Sequence, residues 1–471
     1  MARQNWLDLL ARNISARSEP VPPEVTGLIL SGGGARASFH IGASRYLYDV
    51  VGIAPTSIVG TSAGSIVAAM LAQSLDPTVQ SKELRELERL WLGMTSTADM
   101  FAEQTWFTNL RGHLDGLGGL LGTHADDAEP VLAGDADEPN EVVKRALDAD
   151  PSRDMVLSPT DVWQLAGSLL RVGRVGAGLA ASVRGAEKAA SAYRPGPIVH
   201  RLLFESTFRS SRINKSGVKL RLAVVDLDSG ALRFMRQDGI IVDRDDNPID
   251  DNAYDVALGV WASCSIPGVF RPVKLGNGVY VDGGVRENLP IEMAVKNLGV
   301  TKPYVVVAQP PGLAPDDFAA KDIISVLLRV ASITLDETIQ DEVEWARTAG
   351  ACVIEPHIDV HDAGTVEPAL LRINRDYGWT RAAEEVTGAP ASLREVNEAI
   401  CQARCDWAEL VHPKPSLGVT VKPEPTPPEP EQVAALQSQL RTLLARADET
   451  LLPPGHETWA DELALASNLT Q

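Results

Sequence analysis

Cysteine is scarce in this chain: Cys264, Cys352, Cys401 and Cys405 are the only four among 471 residues. They show none of the paired spacings of a disulfide framework, and a chain this long buries enough core to fold without staples. Reduced thiols and a cytoplasmic location are therefore expected. No secretory leader is expected either, since the stretch "MARQNWLDLLARNISARSEP" has no long apolar core and no small-residue cleavage pattern. Nor is there a run of about eighteen uncharged apolar residues, so no transmembrane helix is expected. Positive charge is in deficit, with 43 Lys and Arg against 63 Asp and Glu for a formal net charge of -20. Such a surface repels a phosphate backbone unless the charge is locally reversed, which argues against a general nucleic-acid binder.

What remains, 44% hydrophobic and 23% charged residues, is the composition of a soluble globular protein of one or two domains. Trp6, Leu7, Leu9, Leu10 and Ile14 recur at helical spacing, so residues 1–25 are read as an amphipathic helix. "TGLIL" reads as a short buried strand, Ala37 to Asp49 as a helix, "TSIVG" as a second strand and "AGSIVAAMLAQSL" as a second helix. Strand, tight turn and helix, repeated, make a parallel α/β unit, and sites form in the loops at the carboxyl ends of such strands. The alternation breaks over about residues 95–197, a glycine-rich, acidic stretch read as a helical or irregular insertion, cap or lid, and resumes with "KLRLAVVDLDSG". The main domain is expected over 26–390, followed by a helical extension at 391–411, a proline-rich linker at 412–432 and a C-terminal helix and tail at 433–471.

The first strand runs into "SGGGAR". Gly32, Gly34 and Ala37 match the dinucleotide fingerprint, yet the second strand ends in "IVGTSAGS" where a dinucleotide fold places its ribose-binding acid, and Asp49 comes too early. No G-K-[ST] follows the glycines, so a Walker-type phosphate loop fails too. Gly60, Ser62 and Gly64 instead form G-x-S-x-G, a nucleophile elbow whose small residues permit the tight strand-to-helix turn and expose the hydroxyl. Ser62 would attack an ester carbonyl while the Gly33 and Gly34 amides, with Gly32 shaping the turn, stabilise the oxyanion. Arg36, at the start of the helix, would orient or hold that loop.

A serine nucleophile needs a base. In the order of an α/β-hydrolase a later histidine would serve, and of His357, His361, His412 and His456 only the stretch "EPHIDVHDAG" offers a plausible setting. Asp282 in "GNGVYVDGGVRENLP" is the better candidate, because it ends a β-type run and Gly283 and Gly284 let another backbone come close. Together "SGGGAR", "GTSAG" and "DGG" resemble the patatin-like phospholipases, serine acyl hydrolases with a Ser–Asp dyad. "LAVVDLDSGALRFM", "WASCSIPGVFRPV" and "DYGWTRAAEE" support the resemblance, which spans about residues 26–390.

The resemblance implies an α/β, three-layer fold with a central, largely parallel sheet flanked by helices. It implies Ser62 as nucleophile, Asp282 as base, an oxyanion hole at Gly32, Gly33, Gly34 and Arg36, a phospholipid or other acyl-lipid substrate, and neither metal nor cofactor. A dyad base must be ionised beside the hydroxyl although a free aspartate has a pKa of about 3.9, which points to tuning by burial. Ala37 departs from the family, which usually has glycine after the arginine. A neutral-lipid or short-chain esterase on the same dyad, and a binding protein that keeps the fold without the reaction, are alternatives.

Between Trp163 and Arg221, eleven Lys and Arg stand against two acids, Glu187 and Glu205. The mixed apolar and basic stretch "WQLAGSLLRVGRVGAGLAASVRGAEKAASAY" suits peripheral contact with anionic lipid or, equally, a cap helix with solvated arginines. In "DRDDNPID", Asp243, Asp245 and Asn247 alternate, but Pro248 and Tyr254 stand where a calcium loop has glycine and glutamate, so a solvated loop is expected. Cys401 and Cys405, four apart on an expected helix without partner ligands, are read as core or surface thiols, and His40 is assigned to packing or a hydrogen bond.

Overall fold

Alternating apolar residues on short strands give two faces to bury, and that requirement builds three layers. The computed structural model describes residues 24–105, 108, 191–204, 209–313, 323–411 and 430–462. The expected N-terminal helix, most of the 95–197 insertion and most of the proline-rich linker lie outside these residues.

The strands are β1 (Thr26–Leu30), β2 (Ser57–Thr61), a separate pair β3 (Phe101–Glu103) and β4 (Tyr193–Pro195), β5 (Lys219–Asp226), β6 (Leu232–Arg236), β7 (Ile240–Val242), β8 (Pro248–Ala253), β9 (Val273–Leu275), β10 (Gly278–Asp282), β11 (Lys302–Val306) and β12 (Cys352–Ile354). One mixed sheet has the order β12-β11-β1-β2-β5-β6-β7-β8, with β10 on β5 and β9 on β10. From β12 to β5 neighbours are parallel. From β5 to β8, and along β10 and β9, they are antiparallel.

The helices are α1 (Ala37–Tyr46), α2 (Ala63–Leu71), α3 (Pro77–Trp91), α4 (Pro197–Phe204), α5 (Ser210–Lys215), α6 (Val256–Ser263), α7 (Ile323–Thr348), α8 (Pro368–Thr387), α9 (Ala391–Val411) and α10 (Pro430–Leu444). Leu28, Leu30, Ile58, Leu220, Leu222 and Val224 point to one face of the sheet, under α1 to α6 and α8. Their neighbours Ile29, Val59, Ala223 and Val225 point to the other, where Ile339, Val343 and Ala346 of α7 cover them. This is the period of two that a strand imposes, and burial on both faces explains the unbroken apolar runs of the parallel strands. A smaller cluster joins α9, α10 and Trp459.

Local signals set the helix ends. Asp76 accepts from Thr78 N at 2.8 Å with Pro77 opening α3, and Asp255 accepts from Ala257 N at 2.9 Å to open α6. α1 is buried at every position but Arg45. A Cβ on Gly42 would stand 1.7 Å from Arg375 O, and one on Gly378 2.2 Å from Phe39 O, so α1 and α8 cross backbone against backbone. That contact fixes the helix that leaves the glycine turn.

Candidate active site

The register of β5 explains how the motifs meet. Thr61, the last residue of β2, pairs with Ala223, and Asp282, the last residue of β10, pairs with the next residue, Val224. β6 already occupies one edge of β5 from Arg221 to Val225, so β2 and β10 share the opposite edge. One runs parallel to β5 and the other antiparallel. Their carboxyl ends therefore meet head to head, about one residue rise of roughly 3.3 Å apart on the ladder. Gly283 is needed at the junction, since a Cβ there would lie 2.6 Å from Ala223 O.

Ser62 follows Thr61 with φ 52° and ψ -129°, one of two non-glycine residues with positive φ among those described. Such a conformation costs about 1–3 kcal/mol and needs surroundings that hold it. The surroundings are explicit. Ser62 N donates to Ser263 Oγ at 3.0 Å, Cys264 Sγ donates to Ser62 O at 3.1 Å, and Ser65 N donates to the same oxygen at 2.8 Å. Gly60 and Gly64 make the elbow tight: a Cβ on Gly60 would stand 2.6 Å from Gly64 O, and one on Gly64 would stand 2.4 Å from Ser31 O. The elbow is thus packed directly against the end of β1, and Ser62 caps the start of α2, where the helix field favours negative charge.

Asp282 is 4% exposed and Ser62 7%. Gly284 N donates to Asp282 Oδ1 at 2.8 Å. Burial pushes the carboxyl from its ordinary 3.8 up to about 7, against the pull of the neighbouring Ser62 hydroxyl and the Gly284 amide. Asp282 N donates to Ser265 O at 3.0 Å. Ser263, Cys264 and Ser265 therefore fasten the serine and the aspartate together, and Ser263 Oγ closes the bracket by donating to Ala223 O at 2.6 Å.

The glycine turn completes the site. A Cβ on Gly32 would stand 3.1 Å from Ser62 Cβ, so the turn borders the hydroxyl's own residue. Gly32 N donates to Asn288 Oδ1 at 3.0 Å, while among the described residues no protein acceptor takes the Gly33 or Gly34 amide. Gly34 has φ 56°, which favours glycine, and a Cβ there would press on Ala363 O at 2.4 Å. Ala35 N donates to Ala363 O at 2.8 Å. Arg36 points outward from the turn: its Nε donates to His361 O at 2.8 Å and its guanidinium pairs with Asp359. Ser31 Oγ lies 2.8 Å from Gly32 O and 3.3 Å from His40 Nε2, beneath the turn, and accepts from Ala308 N at 3.0 Å.

The structure thus brings Gly32, Gly60, Ser62, Gly64, Asp282, Gly283 and Gly284 together and ties Arg36 to a neighbouring loop. The candidate histidines are engaged elsewhere. His357 lies between Glu398 (2.6 Å) and Arg381 (2.9 Å), His361 Nδ1 is 2.9 Å from Asp362 O, and His456 Nδ1 is 3.0 Å from Pro453 O. His412 lies outside the described residues. Burial drives His361 down to about 4, so its ring is neutral at ordinary pH. Sequence reasoning missed Asn288 and the roles of Ser263, Cys264 and Ser265. "WASCSIPGVFRPV" entered only through a resemblance, and Asn288 sits in a run that offers no spacing rule.

Other predicted features resolve structurally. In the basic stretch, Arg221 is buried on β5 and pairs with Asp246 at 2.6 Å, Arg212 pairs with Glu83 at 3.0 Å, and residues 163–190 lie outside the described ones. Asp243 accepts from Asp245 N and Asn247 N, both at 2.9 Å, and so closes the turn between β7 and β8. Cys401 and Cys405 are buried free thiols. An open depression of about 460 Å³ at the sheet edge is lined by Tyr304, Arg347, Cys352 and Glu385, none of which belongs to the motifs above. No described helix is long and apolar enough to cross a membrane.

Comparison with known proteins gives the family through a sequence profile. The profile described as patatin-like phospholipase matches residues 28–295. The uncharacterized protein YqhO of Bacillus subtilis is 38% identical over 92 residues, which cover 16% of this chain and 32% of that protein, so the match spans about a third of the relative. Similar solved structures include VipD from Legionella pneumophila, with 14% identity, a TM-score of 0.35, and 95% of this chain and 85% of that chain covered. The ExoU–SpcU complex from the type III secretion system of Pseudomonas aeruginosa is similar at 17% identity and a TM-score of 0.23, with 96% and 70% covered. Since the family profile takes in more than half of the sequence, the chain belongs to the patatin-like phospholipases.

Proposed function

We propose that the protein is a serine hydrolase that cleaves carboxylic ester bonds of phospholipids or related acyl lipids. The observation that carries this reading is the meeting of Ser62, in a strained elbow beside the glycine turn, with a buried Asp282 at the abutting ends of β2 and β10. Ser62 Oγ attacks the ester carbonyl as its proton passes to Asp282, and the oxyanion is met by the amides of Gly33 and Gly34. The ester C–O bond then breaks, and the departing alkoxide takes the proton from Asp282. A water molecule attacks the acyl-serine, again giving its proton to Asp282. Collapse releases the fatty acid and returns the proton to Ser62 Oγ. A carboxyl held near 7 can both accept and return that proton at neutral pH. Arg36, Ser263 and Cys264 hold the loops and do not touch the ester.

A fluorophosphonate probe tests the reading. The wild-type chain is expected to label covalently, and Ser62→Ala to abolish labelling. A folded wild-type protein that does not label overturns the proposal. Product profiling on mixed phospholipid vesicles and on neutral-lipid emulsions then assigns the lipid class. Release of fatty acid from emulsions alone would replace the phospholipase reading by that of a neutral-lipid esterase.

A further inference from the structure

Asn288 borders the glycine turn and the aspartate turn, and reaches the serine elbow through Gly32. Its Oδ1 accepts from Gly32 N at 3.0 Å, the shorter arm of a forked bond whose other acceptor is the Asn288 backbone O at 3.3 Å, and because the partner is a donor, the side-chain atom facing the turn is the amide oxygen. A Cβ on Gly32 would stand 2.3 Å from that oxygen and 3.1 Å from Ser62 Cβ. A Cβ on Gly284 would stand 3.1 Å from the same oxygen and 3.2 Å from Asp282 Oδ1. One amide oxygen thus lies beside the glycine turn and the aspartate turn, with Gly32 between it and the serine elbow. Asn288 is 2% exposed, so water does not substitute for it easily.

Asn288 is itself clamped from behind. Glu342, in the second half of α7, accepts from Asn288 N at 3.2 Å through Oε1 and from Leu289 N at 2.7 Å through Oε2. Both oxygens of one carboxylate are spent on two successive amides, which fixes the position of the Asn288 backbone. α7 is anchored to the sheet by Ile339, Val343 and Ala346 around that glutamate. The chain of contacts runs from a packed helix through Glu342 and Asn288 to Gly32.

Resting on the reading of the site given above, we infer that Asn288, clamped by Glu342, is the positioning residue that sets the height of the glycine turn over Ser62. By engaging the first glycine amide, it fixes the direction of the peptide planes that follow, and the amides of Gly33 and Gly34 are the ones left to meet an oxyanion. Asn288 acts through the turn and makes no contact with the ester. Displacing such donors by about 1 Å costs on the order of 100-fold in rate without weakening substrate binding to match.

The test uses the full chain, a fluorophosphonate probe and a soluble p-nitrophenyl ester. Asn288→Ala is expected to lower kcat and the labelling rate about 100-fold, with KM within about twofold and a cooperative melting transition. Glu342→Gln, which keeps one acceptor, is expected to lower kcat about tenfold. A folded Asn288→Ala with wild-type kcat, or with a change confined to KM, overturns the inference. Should Asn288→Ala not fold, Glu342→Gln decides: wild-type kcat, or failure of both variants to fold, assigns the contact to stability alone. Ser62→Ala runs alongside. If it still labels, the reading of the site fails; if it is silent while Asn288→Ala labels at the wild-type rate, only the present inference fails.

Discussion

β2 is buried at all five of its positions, whereas β8, at the far edge of the same sheet, is exposed at all six. β2 has a hydrogen-bonded strand on either side and a helical layer over each face, so the atoms at its carboxyl end are constrained from every direction. β8 pairs on one edge only and blunts the other with Pro248, Asp250 and Asp251, as a solvent-facing edge requires. The candidate site sits where the constraint is greatest. β10 is the instructive case between them: an antiparallel strand from the less constrained half, it is carried onto β5 and ends against the tip of β2.

Altering the junction should break this contrast most severely. Asp282→Asn is expected to lower kcat by roughly 10²–10⁴-fold, the range of a lost general base, measured on a soluble ester with folding checked by circular dichroism. Gly283→Ala forces a methyl onto Ala223 O, 2.6 Å away and part of the backbone. A loss of about 1–3 kcal/mol in urea unfolding is expected, together with at least tenfold lower kcat.

Titration sharpens the same comparison. Activity should rise through about pH 7 as Asp282 ionises, so kcat/KM against pH should show its lower limb there. The folded pKa lies above the ordinary 3.8, so the fold favours the protonated carboxyl. Its contribution to stability is full below about pH 4 and lost as pH rises through about 7. Asp282→Asn does not titrate, and its stability relative to wild type should therefore grow between pH 5 and pH 8. The gain is about 3 kcal/mol, read by urea unfolding at the two pH values. A difference that shrinks with pH would show that the carboxyl is held as an anion.

At the other end of the scale, Ile249→Thr on β8, a 40% exposed position, should change stability by less than about 0.5 kcal/mol and leave kcat unaltered. A large effect there would mean that the edge is not the free surface it looks to be.

The parallel unit was legible because its signals are local. "TGLIL" and "TSIVG" are apolar runs ended by glycine or small residues, and they appear at Thr26–Leu30 and Ser57–Thr61. Each glycine of the elbow meets a backbone atom that no side chain could share. The meeting of β2 and β10 was not legible, since it depends on the register of both against β5, set by residues far apart in sequence. Ser263 and Asn288 escaped for a related reason. Serine and asparagine are common in loops, and only their long-range partners, Ser62 and Gly32, distinguish them. The histidines show the opposite case: "EPHIDVHDAG" offers a plausible setting in sequence, yet His357 lies between Arg381 and Glu398.

The shared edge of β5 has a consequence for how such a chain can vary. Ala223 and Val224 are adjacent, and each receives the tip of a different strand, so the ladder meters the gap between the serine and the aspartate. The connecting chain does not. The spacing of Ser62 and Asp282 is therefore set by two neighbouring positions of one strand, not by the length of sequence that separates the two motifs.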